Sequence, residues 1–194
     1  GLFGGIGSNV FNPALTGRAV LFISFPTAMG ATWLAPKTIS AVDAISSATV
    51  LSQIKADTFV VNSQSLLDLF IGNKAGCIGE TSILLILISF IFLLVTKIID
   101  WRAPIAMIFT VFIWTFIAGA ISASSLQVGI EKGLLSLLTG GVMFGATFMV
   151  TDYATTPVTK PGRLIFGFGC GLITFLIRQF GGYPEGVMFS ILIM

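Results

Sequence analysis

Long apolar segments separated by short polar turns dominate this chain. The pattern predicts apolar helices over five complete segments and one truncated one: Ala14 to Trp33, Thr81 to Thr96, Pro104 to Ile121, Gly133 to Val150, Leu164 to Phe180, and a last one that begins at Glu185. Each complete segment is just long enough to cross a bilayer, which takes about 20 residues. The chain is therefore predicted to be all-α, a polytopic transmembrane helix bundle in one membrane-embedded domain over residues 1–194.

Proline and glycine interrupt two of these segments. Asn12 is placed to cap the first helix, Pro13 to occupy its first position, and Pro26 to bend it. The segment from Gly133 to Val150 contains three further glycines, Gly140, Gly141 and Gly145. Close packing, breakage and re-entry are all open for that segment. We therefore expect a bundle with Gly- and Pro-broken helices.

A long mixed stretch, residues 34–79, lies between the first two apolar segments. It carries six charged side chains: Lys37, Asp43, Lys55, Asp57, Asp68 and Lys74. Charge at this density places the stretch outside the hydrocarbon. Its second half, Ser52 to Phe70, mixes apolar and polar positions and predicts an amphipathic helix at the membrane interface.

Composition agrees with a membrane protein and excludes several functions. The 194 residues are 55% hydrophobic and 9% charged, whereas soluble domains carry about 25% charged residues. The net charge of +2 is too small to indicate nucleic-acid binding, and the absence of histidine argues against haem or catalytic zinc. Cys77 and Cys170 are interpreted as packing residues, although a ligand donated to a site shared with another subunit stays open. No metal site within this chain is expected.

The two chain ends differ from those of a complete membrane protein. Gly1 stands where a methionine would begin a full sequence, and Met194 ends an apolar run too short to cross a bilayer. We therefore expect further residues at both ends.

Lysine and arginine placement predicts the orientation. The turn from Lys97 to Arg102 and the turn holding Lys160 and Arg163 are basic and separated by two spans, so both should be cytoplasmic. Arg18 then lies near the cytoplasmic start of the first helix. Residues 34–79 are predicted to face away from the cytoplasm.

Two glutamates stand at equivalent places in a weak internal repeat. Gly79-Glu80-Thr81-Ser82 and Pro184-Glu185-Gly186-Val187 each lead into an Ile-Leu-Ile run at the same offset, which suggests an internal duplication. Both glutamates are predicted to lie in first helical turns, where they would either cap a helix or form an ion or proton site. Asp152, in a hydroxyl-rich loop, allows the same two interpretations. Glu80, Asp152 and Glu185 are therefore the candidate ion-pathway residues.

Small polar residues form two further candidate sites. The run from Asp43 to Thr49 is rich in hydroxyls and predicts an exposed loop that another enzyme could reach, although most such runs only form turns. Asn9 and Asn12 lie beside a Gly-rich turn, where their amides could bind the edge of an isoalloxazine ring or simply cap a helix. The glycines of Gly4 to Gly7 match no nucleotide-binding spacing.

The sequence resembles the RnfD/NqrB family, the membrane subunits of ion-pumping redox complexes. Five motifs in the family order carry the resemblance: Asn9-x-Phe11-Asn12-Pro13-Ala14 with Gly17-Arg18-Ala19; Asp43-x-x-Ser46-x-Ala48-Thr49; Gly76-Cys77-Ile78-Gly79-Glu80-Thr81-Ser82; Phe148-Met149-x-Thr151-Asp152 with Pro157; and Gly181-Gly182-Tyr183-Pro184-Glu185-Gly186. The resemblance covers essentially the whole chain. The last two motifs are more similar to the RnfD branch than to the quinone-reducing NqrB branch.

The resemblance implies cofactors and partners. It implies FMN joined to Thr49 by a phosphoester bond, installed by a flavin transferase that recognises a motif including Asp43, Ser46, Ser47 and Ala48. Ala44 departs from the glycine that the family often has there. It also implies a second, noncovalent flavin, riboflavin or another, near Asn9, Asn12, Thr151 and Asp152.

The implied assembly is an Rnf complex in the cytoplasmic membrane, with this chain as a multi-pass subunit. It would move electrons between ferredoxin and NAD, using Fe-S and flavin sites on partner subunits, while pumping Na⁺ or H⁺. Two alternatives remain: an NqrB-like subunit of a Na⁺-translocating NADH:quinone reductase, and a small-solute channel of the urea-transporter kind, which the duplication and broken segments also fit.

Overall fold

The computed structural model describes residues 11–30, 33–34, 46–47, 50–55, 63–74, 76–77, 79–182 and 185–194. In chain order the elements are α1 Pro13–Ser24, α2 Pro26–Gly30, β1 Trp33–Leu34, β2 Ser46–Ser47, α3 Val50–Lys55, α4 Ser63–Ile71, α5 Ile83–Val95, α6 Arg102–Ala123, α7 Leu126–Leu138, α8 Val142–Phe144, a π-helix Gly145–Met149, α9 Lys160–Phe180 and α10 Val187–Ile193. The only strands among these residues are β1 and β2, an antiparallel pair of two residues each. The predicted all-α class is confirmed.

Only part of the predicted set of spans is long enough to cross a membrane. Within the described residues, α6 and α9 are long and apolar enough, and α7 with Val142–Met149 makes a third if that pair, bent by 61°, counts as one span. The prediction that the segment from Thr81 to Thr96 is long enough to cross the membrane is wrong, because its helix, α5, has 13 residues. It begins after Ser82, whose hydroxyl caps it, and ends before Lys97, whose φ of 56° is incompatible with continued helix.

The two predicted interruptions are confirmed. α1 ends at Ser24 and α2 begins at Pro26, so proline separates two short helices where the sequence predicts one bent helix. The glycine-rich segment breaks after Leu138 and resumes at Val142, and Gly140 has a φ of 65°. The segment therefore breaks with a sharp bend of 61°, a geometry shared by broken spans and re-entrant loops.

Two boundaries were misplaced by several residues. α7 begins at Leu126 instead of Gly133. Its first two turns contain Gln127 and Glu131, which interrupt the apolar pattern but stabilise the helix, because the Gln127 side chain donates to Glu131 one turn further on. α9 begins at Lys160 instead of Leu164, since the Thr159 hydroxyl caps it. The predicted interfacial helix over Ser52 to Phe70 is represented by α3 and α4, and residues 56–62 lie outside the described part.

Glycines allow α6 to pack closely against a helix on each side. A Cβ at Gly167 of α9 would collide with the carbonyl oxygen of Ala103, and one at Gly171 would lie 2.9 Å from that of Met107. On the other side, a Cβ at Gly129 of α7 would lie 2.9 Å from the carbonyl oxygen of Phe116. Such small-residue faces let helix backbones approach within a membrane.

We expect Gly167→Ala to lower the stability of the purified protein by about 1–3 kcal/mol, the usual cost of overpacking a tight contact. The added methyl group would meet backbone, which cannot move aside as a flexible side chain can. Thermal unfolding in detergent measures the change. Gly17→Ala in α1 is the matched control, because nothing lies within 4 Å of its Cβ position. Equal melting temperatures for the two variants would contradict the glycine contact.

The two predicted cytoplasmic turns lie at the same end of the bundle. Asp100 Oδ2 lies 2.7 Å from both Arg102 Nη1 and Arg163 Nη1, so one carboxylate joins the starts of α6 and α9. Burial alone would raise the pKa of Asp100, but the hydrogen bonds from both arginines hold it below its usual value. The shared position that the charge pattern predicts for these turns is confirmed.

Candidate functional site

The break between α7 and α8 brings Glu80 and Glu185 together. The Gly141 backbone N–H donates to Glu185 Oε1 at 2.9 Å. A Cβ at Gly141 would collide with the Glu185 carboxylate and lie 2.9 Å from Glu80 Oε2. Residue 141 must therefore be glycine for the two carboxylates to approach the backbone. Two of the three candidate ion-pathway residues meet at one point.

The prediction that both glutamates lie in first helical turns is wrong. Neither α5 nor α10 has an acidic residue in its first turn, and both glutamates precede their helices. Ser82 caps α5, and Glu80 Oε1 instead accepts the Cys77 backbone N–H at 3.0 Å. Glu185 accepts the Gly141 amide hydrogen at the start of α8. Its negative charge therefore lies at the N-terminus of α8, and not at that of α10, the helix that follows it in sequence.

Arg18 joins the acidic pair from α1. Its Nη2 lies 3.3 Å from Glu185 Oε2 and 3.9 Å from Cys77 Sγ. The lysine and arginine placement predicts Arg18 near the cytoplasmic start of α1. Glu185, one span after the predicted cytoplasmic turn at Lys160, would then lie on the other side, but the ion pair places the two groups at one depth. Arg18 reaches that depth because it lies six residues along α1 from Asn12, a rise of about 9 Å.

Two cations bind the opposite end of the break, at the C-terminus of α7. Lys74 Nζ donates to the Leu138 carbonyl at 2.6 Å, and its side chain is buried. Arg178 Nη1 and Nη2 donate to the carbonyls of Ser136 and Thr139 at 2.7 and 3.3 Å. Cations thus face the negative end of α7 and carboxylates the positive end of α8, as the helix dipoles favour.

Burial and mutual charge shift the protonation of this cluster. Burial raises the pKa of Glu80, and the negative charge of Glu185 raises it further. Burial lowers the pKa of Lys74 to about 8, against the opposing effect of Glu80. Binding of a proton or cation at this cluster would therefore shift the pKa of the other ionisable groups in it, since interacting groups titrate as a set.

A second polar cluster lies at the start of α1. Asn12 Nδ2 donates to Asp152 Oδ2 at 3.1 Å, and Thr155 Oγ1 donates to the same oxygen at 2.9 Å. The Asn12 Oδ1 atom caps α1 by accepting from the backbone of Ala14 and Leu15. The structure therefore places Asn12 in contact with Asp152, two residues that the sequence analysis assigns to the same site. The Thr151 hydroxyl donates to the Thr147 carbonyl of the preceding π-helix, and Asn9 lies outside the described residues.

Only two residues of the predicted flavin-attachment motif belong to the described part of the chain. Asp43, Ala48 and Thr49 lie outside the described residues. Ser46 and Ser47 form β2, which pairs with Trp33–Leu34, and α3 begins at Val50, the residue after Thr49. Thr49 is thus followed immediately by a short helix.

A cavity of about 380 Å³ lies beside α3, within the size range of small-molecule sites. Leu51 and Ile54 line it from α3, and Arg178 and Lys132 contribute cations. The Arg178 Nε atom is buried and has no hydrogen-bond partner among the described residues. A buried donor of this kind is costly to leave without an acceptor.

The sequence analysis missed Arg178, Lys74 and Gly141. Arg178 had a usable signal, because it is a charged residue within an apolar segment, where charges are usually retained for function. Lys74 had none, since it belongs to a polar stretch assigned to the outside. Gly141 was noted as one of several glycines, but not as the contact point of two carboxylates.

Comparison with known proteins indicates the family context. A sequence model described as the NQR2, RnfD, RnfE family matches residues 1–194. The chain is 43% identical over 194 residues to a subunit of the Na⁺-translocating ferredoxin:NAD⁺ oxidoreductase complex of Acetobacterium woodii, covering 99% of this chain and 56% of that protein.

Two further relatives represent both branches. Identity is 42% over 200 residues to a subunit of the proton-translocating ferredoxin:NAD⁺ oxidoreductase complex of Clostridium ljungdahlii, covering 98% of this chain and 58% of that protein. It is 37% over 196 residues to a subunit of the Na⁺-translocating NADH-quinone reductase of Chromohalobacter salexigens, covering 98% and 46%. The chain thus spans about half the length of these relatives.

Proposed function

Because this chain belongs to the NQR2, RnfD, RnfE family over residues 1–194, we propose that it is a membrane subunit of an Rnf-type complex. In that complex it carries flavin and relays electrons between ferredoxin and NAD branches, coupled to translocation of Na⁺ or H⁺. It does not catalyse the overall reaction alone. Its partners are the other membrane subunits, the peripheral Fe-S and flavin subunits, a flavin transferase and the lipid bilayer, and its location is the cytoplasmic membrane.

The convergence of Glu80 and Glu185 on Gly141 is the observation that carries the ion-translocating part of this proposal. Glu185 accepts the Gly141 amide hydrogen of a broken helix. Glu80, whose pKa is raised, lies beside the same glycine. Interrupted membrane helices commonly form cation and substrate sites, because their unbonded backbone groups and side chains can bind an ion. Na⁺ or H⁺ would be held by Glu80 and Glu185, and Asp152 lies on the same pathway towards the inner end.

FMN on Thr49 is the redox part of the proposal. A phosphoester needs a free hydroxyl with small neighbours, and Ser46, Ser47 and Ala48 supply small residues beside Thr49, with Asp43 completing the recognised motif. When bound, FMN accepts electrons from one partner and passes them to the next. The chain's own task is to hold the ring, exclude water and set the local charge.

A second, noncovalent flavin is proposed near Asn9, Asn12, Thr151 and Asp152. The contact between Asn12 and Asp152 supports a shared site, since residues far apart in sequence provide an amide and a carboxylate side by side. Because both polar atoms of the Asn12 side chain already have protein partners, a flavin would have to contact this cluster through its remaining acceptors and donors.

An NqrB-like role in quinone reduction is the second candidate. The 37% identity to a subunit of a Na⁺-translocating NADH-quinone reductase supports it, and quinone-dependent turnover of the complex would distinguish it from the ferredoxin-linked role. A urea-transporter-like channel is the third candidate, and solute flux through the isolated protein without any bound chromophore would favour it.

Mass spectrometry of the peptide containing Thr49 tests the redox proposal directly. We expect the peptide from the mature complex to carry the added mass of FMN on Thr49. The matched control is the same peptide from cells lacking the flavin transferase, in which the mass should be unmodified. A bare Thr49 in an active complex would overturn the proposal.

A further inference from the structure

A larger cavity, of about 1050 Å³, lies at the end of the bundle where Asp100 joins the starts of α6 and α9. Three cations line it, Lys97, Arg102 and Arg163, and Asp100 is the only carboxylate that does so among the described residues. Three cations against one carboxylate leave the lining with a net charge of +2. This basic cavity therefore attracts anions.

The cations of the basic cavity have hydrogen-bond donors to spare. Arg102 and Arg163 each donate from Nη1 to Asp100, and Arg163 Nε donates to the Pro157 carbonyl. Among the described residues, no group accepts from Nη2 of either arginine or from Lys97 Nζ. Asp100 thus holds two guanidinium groups in place without using all their N–H groups. A phosphate group matches what is left, because its charged oxygens accept strong hydrogen bonds from such donors.

Lys97 stands at a position where the backbone favours glycine. It follows Thr96, the C-terminal cap of α5, and has a φ of 56°. Glycine usually occupies this place after a helix, because it has no Cβ to clash in the left-handed region. Lysine is therefore unfavourable for the backbone here, but it adds an exposed charge on a long flexible stem at the edge of the basic cavity.

Aromatic residues place the basic cavity at the level of lipid headgroups. Trp101 lines it, and the Arg102 guanidinium carbon lies 5.1 Å from the centre of the Trp101 ring. Tyr153 lines it too and is fully exposed. Tryptophan and tyrosine are typical of the membrane–water boundary, where arginine and lysine meet lipid phosphates.

Apolar helix faces lead from the basic cavity towards the middle of the bundle. Leu94 lines it from α5 and Ile105 from α6. One turn further from the cavity, Ile91 lies on the same face of α5 as Leu94, and Phe109 on the same face of α6 as Ile105. Both side chains are exposed. A ligand with an anionic head and apolar chains therefore fits the cavity and the helix faces together.

From these observations we propose that the basic cavity binds the phosphate of an anionic membrane lipid. Lys97, Arg102 and Arg163 donate to the phosphate oxygens, and the acyl chains lie along the exposed faces of α5 and α6. Basic pockets beside membrane helices commonly bind such headgroups. The inference goes beyond the proposed function, since it requires neither a flavin nor the ion pathway, only that the chain lies in a bilayer.

The basic cavity borders the site proposed for the second flavin. Of the described residues assigned to that flavin, Thr151 lines the cavity, whereas Asn12 and Asp152 do not. The Asp152 carboxylate, which would repel a phosphate, is instead bonded by Asn12 and Thr155. Lipid and flavin would therefore be neighbours, so flavin content has to be measured together with lipid binding.

Photocrosslinking of the purified complex tests the inference. The complex is reconstituted in phosphatidylcholine vesicles that contain a small fraction of phosphatidylglycerol with a photoreactive headgroup, and mass spectrometry measures the crosslink at Tyr153. We expect Lys97→Gly to lower the yield at limiting probe about fivefold, the effect of one cation beside anionic lipid. Glycine suits the φ of 56° at this position, so the loss cannot come from unfolding.

Two variants and two competitors complete the test. Lys97→Arg keeps the charge and should keep the yield. Lys160→Gln removes a charge from the same end of the bundle but outside the cavity lining, and it should also keep the yield. Unlabelled phosphatidylglycerol should displace the probe, and inorganic phosphate should not.

Four results would overturn the inference. Displacement by inorganic phosphate would indicate a site for soluble anions. A Tyr153 without crosslinks in the wild-type complex would mean that a partner subunit covers the cavity. Equal yields in wild type and Lys97→Gly would exclude Lys97 from lipid binding, and loss of flavin from Lys97→Gly with an unchanged yield would assign the cavity to the second flavin.

Discussion

Thr49→Val is expected to abolish the flavin fluorescence of the denatured protein. Valine keeps the size and β-branching of threonine, so the local backbone preference changes little, but it lacks the oxygen that the phosphoester bond requires. Loss of the anchored flavin would interrupt electron relay, so we expect turnover of the complex to fall to background. In-gel fluorescence and donor-to-acceptor electron transfer by the purified complex measure the two effects.

A matched substitution separates the loss of flavin from general damage. Thr96→Val removes a hydroxyl that donates to carbonyls in the preceding turn of α5, and it should leave fluorescence and turnover unchanged. Thr49→Ser restores an acceptor oxygen and should recover part of the fluorescence. Persistent fluorescence in Thr49→Val would mean that flavin is attached elsewhere.

Glu185→Gln is expected to reduce cation translocation about tenfold or more, the effect of losing about 1.4 kcal/mol of cation binding. The amide oxygen of glutamine can still accept the Gly141 N–H, so the helix break should be retained. The ion pair with Arg18 is lost, as is the negative charge that we assign to cation binding. Ion-gradient formation driven by electron transfer in reconstituted vesicles measures the effect, with flavin content expected to equal that of wild type.

The same variant has a predicted direction of pH dependence. The charge of Glu185 helps to raise the pKa of Glu80, so removing that charge lowers the pKa of Glu80. Any residual translocation should therefore shift its pH profile downward. Glu131→Gln on α7 is the control, because Glu131 bonds only Gln127 of its own helix among the described residues. Normal gradients in Glu185→Gln would exclude Glu185 from the ion pathway.

Local chemistry allowed much of the fold to be predicted. Pro26 and the Gly140–Gly141 pair mark real helix breaks, because proline lacks an amide hydrogen and glycine readily tolerates the positive φ found at Gly140. The predicted starts of α7 and α9 were too late because the apolar pattern stops where polar and charged side chains begin. The helices themselves continue through such residues, Gln127 in α7 and Lys160 in α9, at little cost.

The site was less predictable, because its geometry depends on contacts between distant segments. Glu80 and Glu185 could be paired by the internal repeat, but nothing local indicates that they meet at Gly141. Lys74 belongs to a stretch predicted to be external, yet its side chain reaches the end of α7. Only the tertiary path of the chain decides such contacts, whereas the Asn12 cap follows from its own sequence neighbours.

The break between α7 and α8 also constrains the order in which the protein is made. The Gly141 amide is bonded by a carboxylate 44 residues further along the chain. During synthesis the ribosome releases Gly141 before Glu185 exists, and an unbonded amide is costly in lipid. The half-helix after Gly141 must therefore stay hydrated or sheltered by the insertion machinery until the α9–α10 turn emerges, which makes its entry into the bundle a late folding event.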